Sequence, residues 1–210
     1  MMHEININEE GYASTAKQIA SPNFDSRSFS YASAPLGDTV CETININDSN
    51  IKYTAEISMI VVHNISLPPN QYGGNGAIEL FTNKLNPDEH PYYAEIYMRK
   101  VSSHFLIRRD GELIQFVSCL QRAWHAGVSH WQGRERCNDF SVGIELEGSD
   151  YDAFEHEQYE QLQSLVSALK NTYPIKTVVG HSDIAPGRKT DPGPYFDWEK
   201  LHNLPSFNDQ

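Results

Sequence analysis

A chain of 210 residues is long enough to hide roughly 70% of its unfolded surface in one sizeable core, so no second domain is needed. Its formal net charge of −12 argues against general nucleic-acid binding, because a phosphate-binding face would sit in a repulsive overall field. Fields are screened beyond about 8 Å at physiological salt, so a local group such as Arg108, Arg109, Arg122, Arg134 and Arg136 still leaves room for small anionic substrates.

The stretch Met1 to Asn6 lacks the basic head and apolar core of a secretory signal, and no later run approaches the roughly 20 apolar residues of a membrane span. Cys41, Cys119 and Cys137 are odd in number and share no metal-type spacing, which suits reduced thiols. Together these features lead to the expectation of a cytoplasmic chain without membrane insertion.

Residues 1 to 56 read as a polar N-terminal arm with a loop-like insertion, since the Ser/Asn/Asp-rich middle lacks the apolar residues for its own core. Short alternating pieces such as Thr43-Ile44-Asn45-Ile46 suit an edge hairpin. From Ile57 to Val62 a β-branched run of the buried-strand type ends in His63-Asn64. The breaker-rich segment Leu67 to Gly76 is expected to be a loop forming a wall beside His63, followed by a short helix over residues 77–85.

Residues 102–107 and 112–117, joined by Arg108-Arg109-Asp110-Gly111, predict a β-hairpin with Asp-Gly in the turn. Trp124, in the loop segment Ala123 to Gly127, is either a ligand platform or a core residue. The stretch Phe140 to Glu147 alternates, which puts Phe140, Val142, Ile144 and Leu146 on one face and Ser141, Gly143, Glu145 and Glu147 on the other. An amphipathic helix over residues 153–171 follows, with Asp152 and Glu155 spaced as a capping box. Lys176 to Gly180 predicts a strand that delivers His181 to a Pro/Gly-stiffened loop carrying Lys189 and Asp191, and residues 196–204 a last short helix.

The chemistry suggested by these residues is that of a zinc hydrolase. Catalytic zinc is usually held by three protein ligands with one open position, and His63, His181 and Asp191 supply a mixed imidazole and carboxylate set. His104 and His125 are the substitutes for either histidine; His3, His90, His130, His156 and His202 read as surface residues. Amide hydrolysis also needs a proton acceptor for water and a donor for the leaving amine, and Glu145 is the candidate for both, a solvated strand carboxylate being the alternative. Lys189, between two loop ligands, is placed to stabilise an oxyanion, unless it is simply a solvent-exposed lysine.

Six stretches in order carry a family resemblance: residues 61–69, 103–111, 122–128, 132–140, 143–148 and 180–194. They resemble the AmpD-type 1,6-anhydro-N-acetylmuramoyl-L-alanine amidases, within the type 2 amidase and peptidoglycan-recognition superfamily. The fragment Ser21 to Arg27 is similar to the segment before that family's first core strand, with about thirty residues inserted between them here. The resemblance implies a mixed α/β single domain, a central mixed β-sheet flanked by helices in the type 2 amidase fold, over residues 57–204 with a polar tail at 205–210.

Carried over position by position, the resemblance implies zinc (Zn2+) on His63, His181 and Asp191, a catalytic carboxylate at Glu145 and transition-state stabilisation by Lys189. Several relatives carry Cys in place of Asp191, and some carry Tyr at the Ser103 position, where it assists catalysis, so with Ser103 here more rests on Glu145. Asn64, Trp124 and Arg136 match positions lining the family's substrate cleft, with Arg136, and secondarily Lys100, binding stem-peptide carboxylates. The expected activity is zinc-dependent hydrolysis of the bond between the lactyl group of (1,6-anhydro-)N-acetylmuramic acid and L-alanine in muropeptides, by a monomer acting in cell-wall recycling. The rivals are a non-catalytic peptidoglycan-binding module of the same superfamily and a zinc hydrolase of another bond.

Overall fold

The computed structural model describes residues 4–27 and 56–202. The Thr43–Ile46 piece, Cys41 and the 205–210 tail fall outside those residues. In chain order the elements are β1 (Lys17–Gln18), β2 (Phe24–Ser26), β3 (Met59–Ile65), α1 (Gly76–Phe81), α2 (Pro91–Ile96), β4 (Phe105–Ile107), β5 (Leu113–Gln115) and β6 (Gln121–Ala123). They continue with β7 (His130–Trp131), β8 (Arg134–Glu135), β9 (Ser141–Glu147), α3 (His156–Thr172), β10 (Thr177–Gly180), α4 (His181–Ile184) and α5 (Glu199–His202). Among the described residues, six strands form one sheet in the order β1-β5-β4-β9-β3-β10. Only the β4–β5 pair is antiparallel, the hairpin with Gly111 at φ 83 in its turn, so the sheet is mixed as expected.

Because β9, β3 and β10 are parallel neighbours, their carboxyl ends share one edge of the sheet, the end at which open α/β sheets carry their sites. The alternation predicted for β9 decides what each face does. Val142, Ile144 and Leu146, with Ile60 and Val62 of β3, bury against Tyr159, Leu162, Leu165, Val166 and Leu169, the apolar stripe of α3. The opposite face is covered near β4 and β5 by Leu80, Phe81, Tyr93 and Ile96 of α1 and α2, and near β3 by Ile184 and Ala126. Ser141, Gly143, Glu145 and Glu147 project on that second face, and it is there that polar groups gather.

Several boundaries differ from the sequence reading for identifiable reasons. β3 does not stop at Val62 but runs through His63 and Asn64 to Ile65, because pairing with β9 continues to Ile65↔Glu147. The α3 cap is Glu155 with Gln158 rather than Asp152 with Glu155: the Glu155 N–H donates to Gln158 Oε1 at 3.0 Å, while Asp152 accepts from the Tyr72 hydroxyl. Gln158 is fully buried and its Nε2 donates to Ile107 and Glu147 carbonyls, which ties α3 to the ends of β4 and β9. No periodic signal marks α2; it starts at Pro91 with His90, read as a surface histidine, accepting from the Tyr92 N–H at 3.1 Å.

The front of the arm packs rather than trailing over the surface. Ile5 and Ala13 enter the core, β1 extends the sheet and β2 pairs with β6. Arg27 locks it in place: its guanidinium donates to the carbonyls of Cys119, Asn138, Asp139 and Ser141 at 2.9–3.2 Å. Burial lowers the Arg27 pKa to about 10, which still leaves the charge in place at neutral pH. No helix among the described residues is long and apolar enough to cross a membrane.

Candidate metal centre and active-site cleft

Three side chains converge at the shared strand edge. His63 Nδ1, His181 Nδ1 and Asp191 Oδ2 form a triangle with sides of 2.9, 3.0 and 3.0 Å. His63 comes from β3 and His181 is the first residue after β10, one step past the Gly180↔Val62 pair, so the parallel register sets the two imidazoles side by side. Asp191 is brought back by the loop, whose Asp191 carbonyl accepts from the Ser182 N–H at 2.9 Å. Gly180 has no room for a side chain there, since a Cβ would lie 2.7 Å from Pro192 Cδ.

The triangle fits a metal. Donor atoms about 3 Å apart suit an ion with bonds of about 2 Å, and two imidazoles with one carboxylate are an ordinary zinc set that leaves a position open. Protonation is also suitable, because metal ligands must be deprotonated. Burial pushes the His63 pKa down to about 4, only partly opposed by Asp191, so its imidazole is neutral. Burial acts against ionisation of Asp191, yet the contacts with His181 and His63 outweigh it and hold the carboxyl well below the usual carboxylate range. His104 and His125, the substitute ligands, lie outside the triangle: His104 Nδ1 accepts from the Gly143 N–H at 2.9 Å, and His125 stands behind His63.

Glu145 is the register partner of His63 on β9 and projects on the same face. It is 7% exposed and its Oε2 is buried without a hydrogen-bond partner among the described residues. Burial, and then the charge of Asp191, raise its pKa well above the usual range, while Lys189 pulls the other way. Glu147, two residues on, is the instructive contrast: its oxygens accept from the Gly73 and Arg109 N–H groups at 2.7 and 3.2 Å, which commits it to pinning the wall loop. An unpartnered, desolvated carboxylate beside a candidate metal site is what proton transfer requires.

A cleft of about 420 Å3 opens over this centre, a size typical of small-molecule sites. His63, Asn64, Trp124, Glu145, His181, Lys189 and Asp191 all line it. Asn64 gives both amide N–H bonds to the protein, to Asp150 Oδ1 at 2.8 Å and to the Pro192 carbonyl at 3.0 Å, which directs its Oδ1 to act as an acceptor. Trp124 is half-buried and its indole N–H has no partner among the described residues. Arg136, by contrast, does not line the cleft; it is exposed and pairs with Asp139. The other arginines of the proposed basic group are likewise occupied, Arg108 and Arg109 around Glu112 and Glu155, Arg122 with Asp25 and Asp139, and Arg134 over the Phe140 ring. Among the described residues the cleft's cations besides Lys189 are Arg99 and Arg188, which no pattern in the sequence marked, and Tyr92 and Tyr151 add aromatic wall.

The N-acetylmuramoyl-L-alanine amidase family profile matches residues 53–194, which include the whole triangle, Glu145 and Lys189. The chain belongs to the N-acetylmuramoyl-L-alanine amidase family. It is 47% identical over 200 residues to the 1,6-anhydro-N-acetylmuramyl-L-alanine amidase AmpD of Escherichia coli, covering 94% of this chain and 96% of that one. The crystal structure of a selenomethionyl AmpD derivative superposes with a TM-score of 0.79 at 46% identity, over 93% of this chain and 97% of that chain. A more distant amidase, AmiD of E. coli in complex with anhydro-N-acetylmuramic acid-L-Ala-D-γ-Glu-L-Lys, matches with a TM-score of 0.54 at 30% identity, over 76% of this chain and 61% of that chain. The fold is therefore that of the type 2 amidases, and the chain is an amidase enzyme.

Proposed function

We propose that this amidase uses zinc held by His63, His181 and Asp191 to hydrolyse the amide between the lactyl group of 1,6-anhydro-N-acetylmuramic acid and L-alanine. The observation that carries the reading is the donor triangle set beside the buried, unpartnered Glu145 at the floor of the cleft. The anhydro-sugar preference is supported by the name of the AmpD relative, matched along 96% of its length, and by the anhydro-sugar substrate in the AmiD complex. When bound, zinc lowers the pKa of a coordinated water and polarises the scissile carbonyl.

The chain's own residues do the rest. Glu145 takes the proton of the attacking water and returns one to the alanine nitrogen, so water adds across the C–N bond with no co-reactant. Lys189 stabilises the negative charge on the former carbonyl oxygen. Asn64 Oδ1 accepts an N–H of the substrate, and Trp124 presents its indole face to the sugar. Arg99 lines the cleft whereas Arg136 pairs with Asp139, so Arg99 is the better placed cation for a stem carboxylate. We assign the reaction to muropeptide recycling in the cytoplasm, which the buried free thiols of Cys119 and Cys137 support.

Incubated with 1,6-anhydro-N-acetylmuramoyl-tripeptide, the protein is expected to release the free tripeptide by mass analysis, and a chelator to stop it. Intact substrate after prolonged incubation with zinc would favour the binding-module reading, and a cut elsewhere the other hydrolase. Lys189→Gln is expected to lower turnover by about 10²-fold. It should also move the acid limb of the pH–rate profile upward, because Lys189 is the group that favours ionised Glu145. An unmoved limb in a full kcat/KM profile would remove Lys189 from this role.

A further inference from the structure

We propose that His125 is a positioning residue that fixes the tautomer of His63 and thereby holds its Nδ1 bare for the metal; the inference rests on the zinc reading above. It follows from a directional chain of hydrogen bonds. Ser141 Oγ lies 2.6 Å from the Cys137 carbonyl, and two oxygens at that distance share a proton only if the serine hydroxyl donates it. Ser141 Oγ is then an acceptor for His125 Nε2, 3.2 Å away, so the proton of the neutral His125 ring is on Nε2 and its Nδ1 carries a lone pair. That Nδ1 is 2.9 Å from His63 Nε2, which must be the donor. His63 Nδ1 is left with its lone pair directed at the point shared with His181 and Asp191.

The slot for His125 is built on the polar face of β9. Gly143 leaves the space for the ring: a Cβ there would come within 2.5 Å of His125 Cγ and 2.7 Å of its Nδ1. The backbone is pinned as well, since Asn138 Oδ1 accepts from both the His125 and Ala126 N–H groups at 3.2 and 2.8 Å. The next residue does for the other imidazole what His125 does for His63. The Ala126 carbonyl accepts from His181 Nε2 at 3.0 Å and is gripped at 2.8 Å by Arg188. One dipeptide, His125-Ala126, thus orients both histidines of the triangle, the first through a side chain and the second through a carbonyl. Ligand-orienting partners of this kind raise ligand basicity and fix ring orientation.

The test is zinc competition against a chromophoric chelator with the wild-type chain, His125→Leu and His125→Asn. Asn places its Oδ1 where His has Nδ1, so affinity is expected to fall about 10–100-fold for Leu and to stay within about threefold of wild type for Asn. Wild-type affinity in His125→Leu, or an equal loss in His125→Asn, overturns the proposal. Should the Leu variant fail to fold, long-range ¹H–¹⁵N NMR of the zinc-loaded wild-type chain decides alone. Protons on Nε2 of both His63 and His125 support the chain of bonds, and a proton on His125 Nδ1 overturns it while leaving zinc binding intact. A wild-type chain that takes up no zinc overturns the metal reading and this inference together.

Discussion

Glu145→Gln is expected to lower turnover by at least about 10³-fold while zinc content and KM stay near wild type, the pattern of a group that acts only in the transition state. The amide keeps the shape and burial of the carboxylate but can neither accept the water's proton nor pass one on. The same variant makes an opposite prediction for stability. Burial and Asp191 raise the folded pKa of Glu145 above the roughly 4.3 of an unfolded chain, so between those values the folded protein binds more protons than the unfolded one. Stability therefore falls as pH rises through that window and stays reduced above it. The amide side chain of the Glu145→Gln variant carries no such charge, and its metal-free form should gain on the wild type as pH is raised from about 5 to about 8 in denaturant melts. Equal turnover would dismiss Glu145 as the proton carrier; parallel stability curves would mean that its carboxylate is better solvated than its surroundings indicate.

The residues most legible beforehand were those whose position follows from local period. Alternation in β9 placed Glu145 away from the apolar face, the 162, 165, 166 and 169 stripe gave α3, and Asp-Gly gave the hairpin turn. His63 and His181 were legible as residues near strand ends, but their contact depends on a parallel register between segments 118 positions apart, which no window contains. The arm was least legible for a physical reason: its apolar anchors Ile5, Ile7, Ala13, Ala16 and Ile19 follow no sustained helix or strand period, and much of its attachment is by hydrogen bonds, above all those of Arg27, which leave no hydrophobic pattern. Charge in the cleft is hidden in the same way. Arg99 and Arg136 are equally polar in sequence, and only the packing of α2 and the Asp139 contact make the first a wall residue and the second a surface ion pair. His125 reads as a substitute ligand and instead stands behind one, a distinction between 2.9 Å contacts on two sides of one ring.

Asp191→Ala is expected to abolish both zinc and turnover. Orienting partners outside the ligand set are worth about 10–100-fold in metal affinity, so loss of a direct anionic ligand should exceed about 10³-fold. The remaining His63 and His181 would hold two neutral nitrogens toward the ion with no charge to offset its desolvation. Asp191→Cys is the discriminating companion, because a thiolate restores both charge and a ligand that zinc accepts. Zinc content should therefore fall in the Ala variant and persist in the Cys variant, measured by elemental analysis after dialysis and by chelator competition. Together with Glu145→Gln this separates the two halves of the centre: one change loses turnover with zinc in place, the other loses turnover because zinc has gone. Stoichiometric, tightly held zinc in Asp191→Ala would move the ligand set away from the triangle, and His104 or His125 would then have to be reconsidered as its third member.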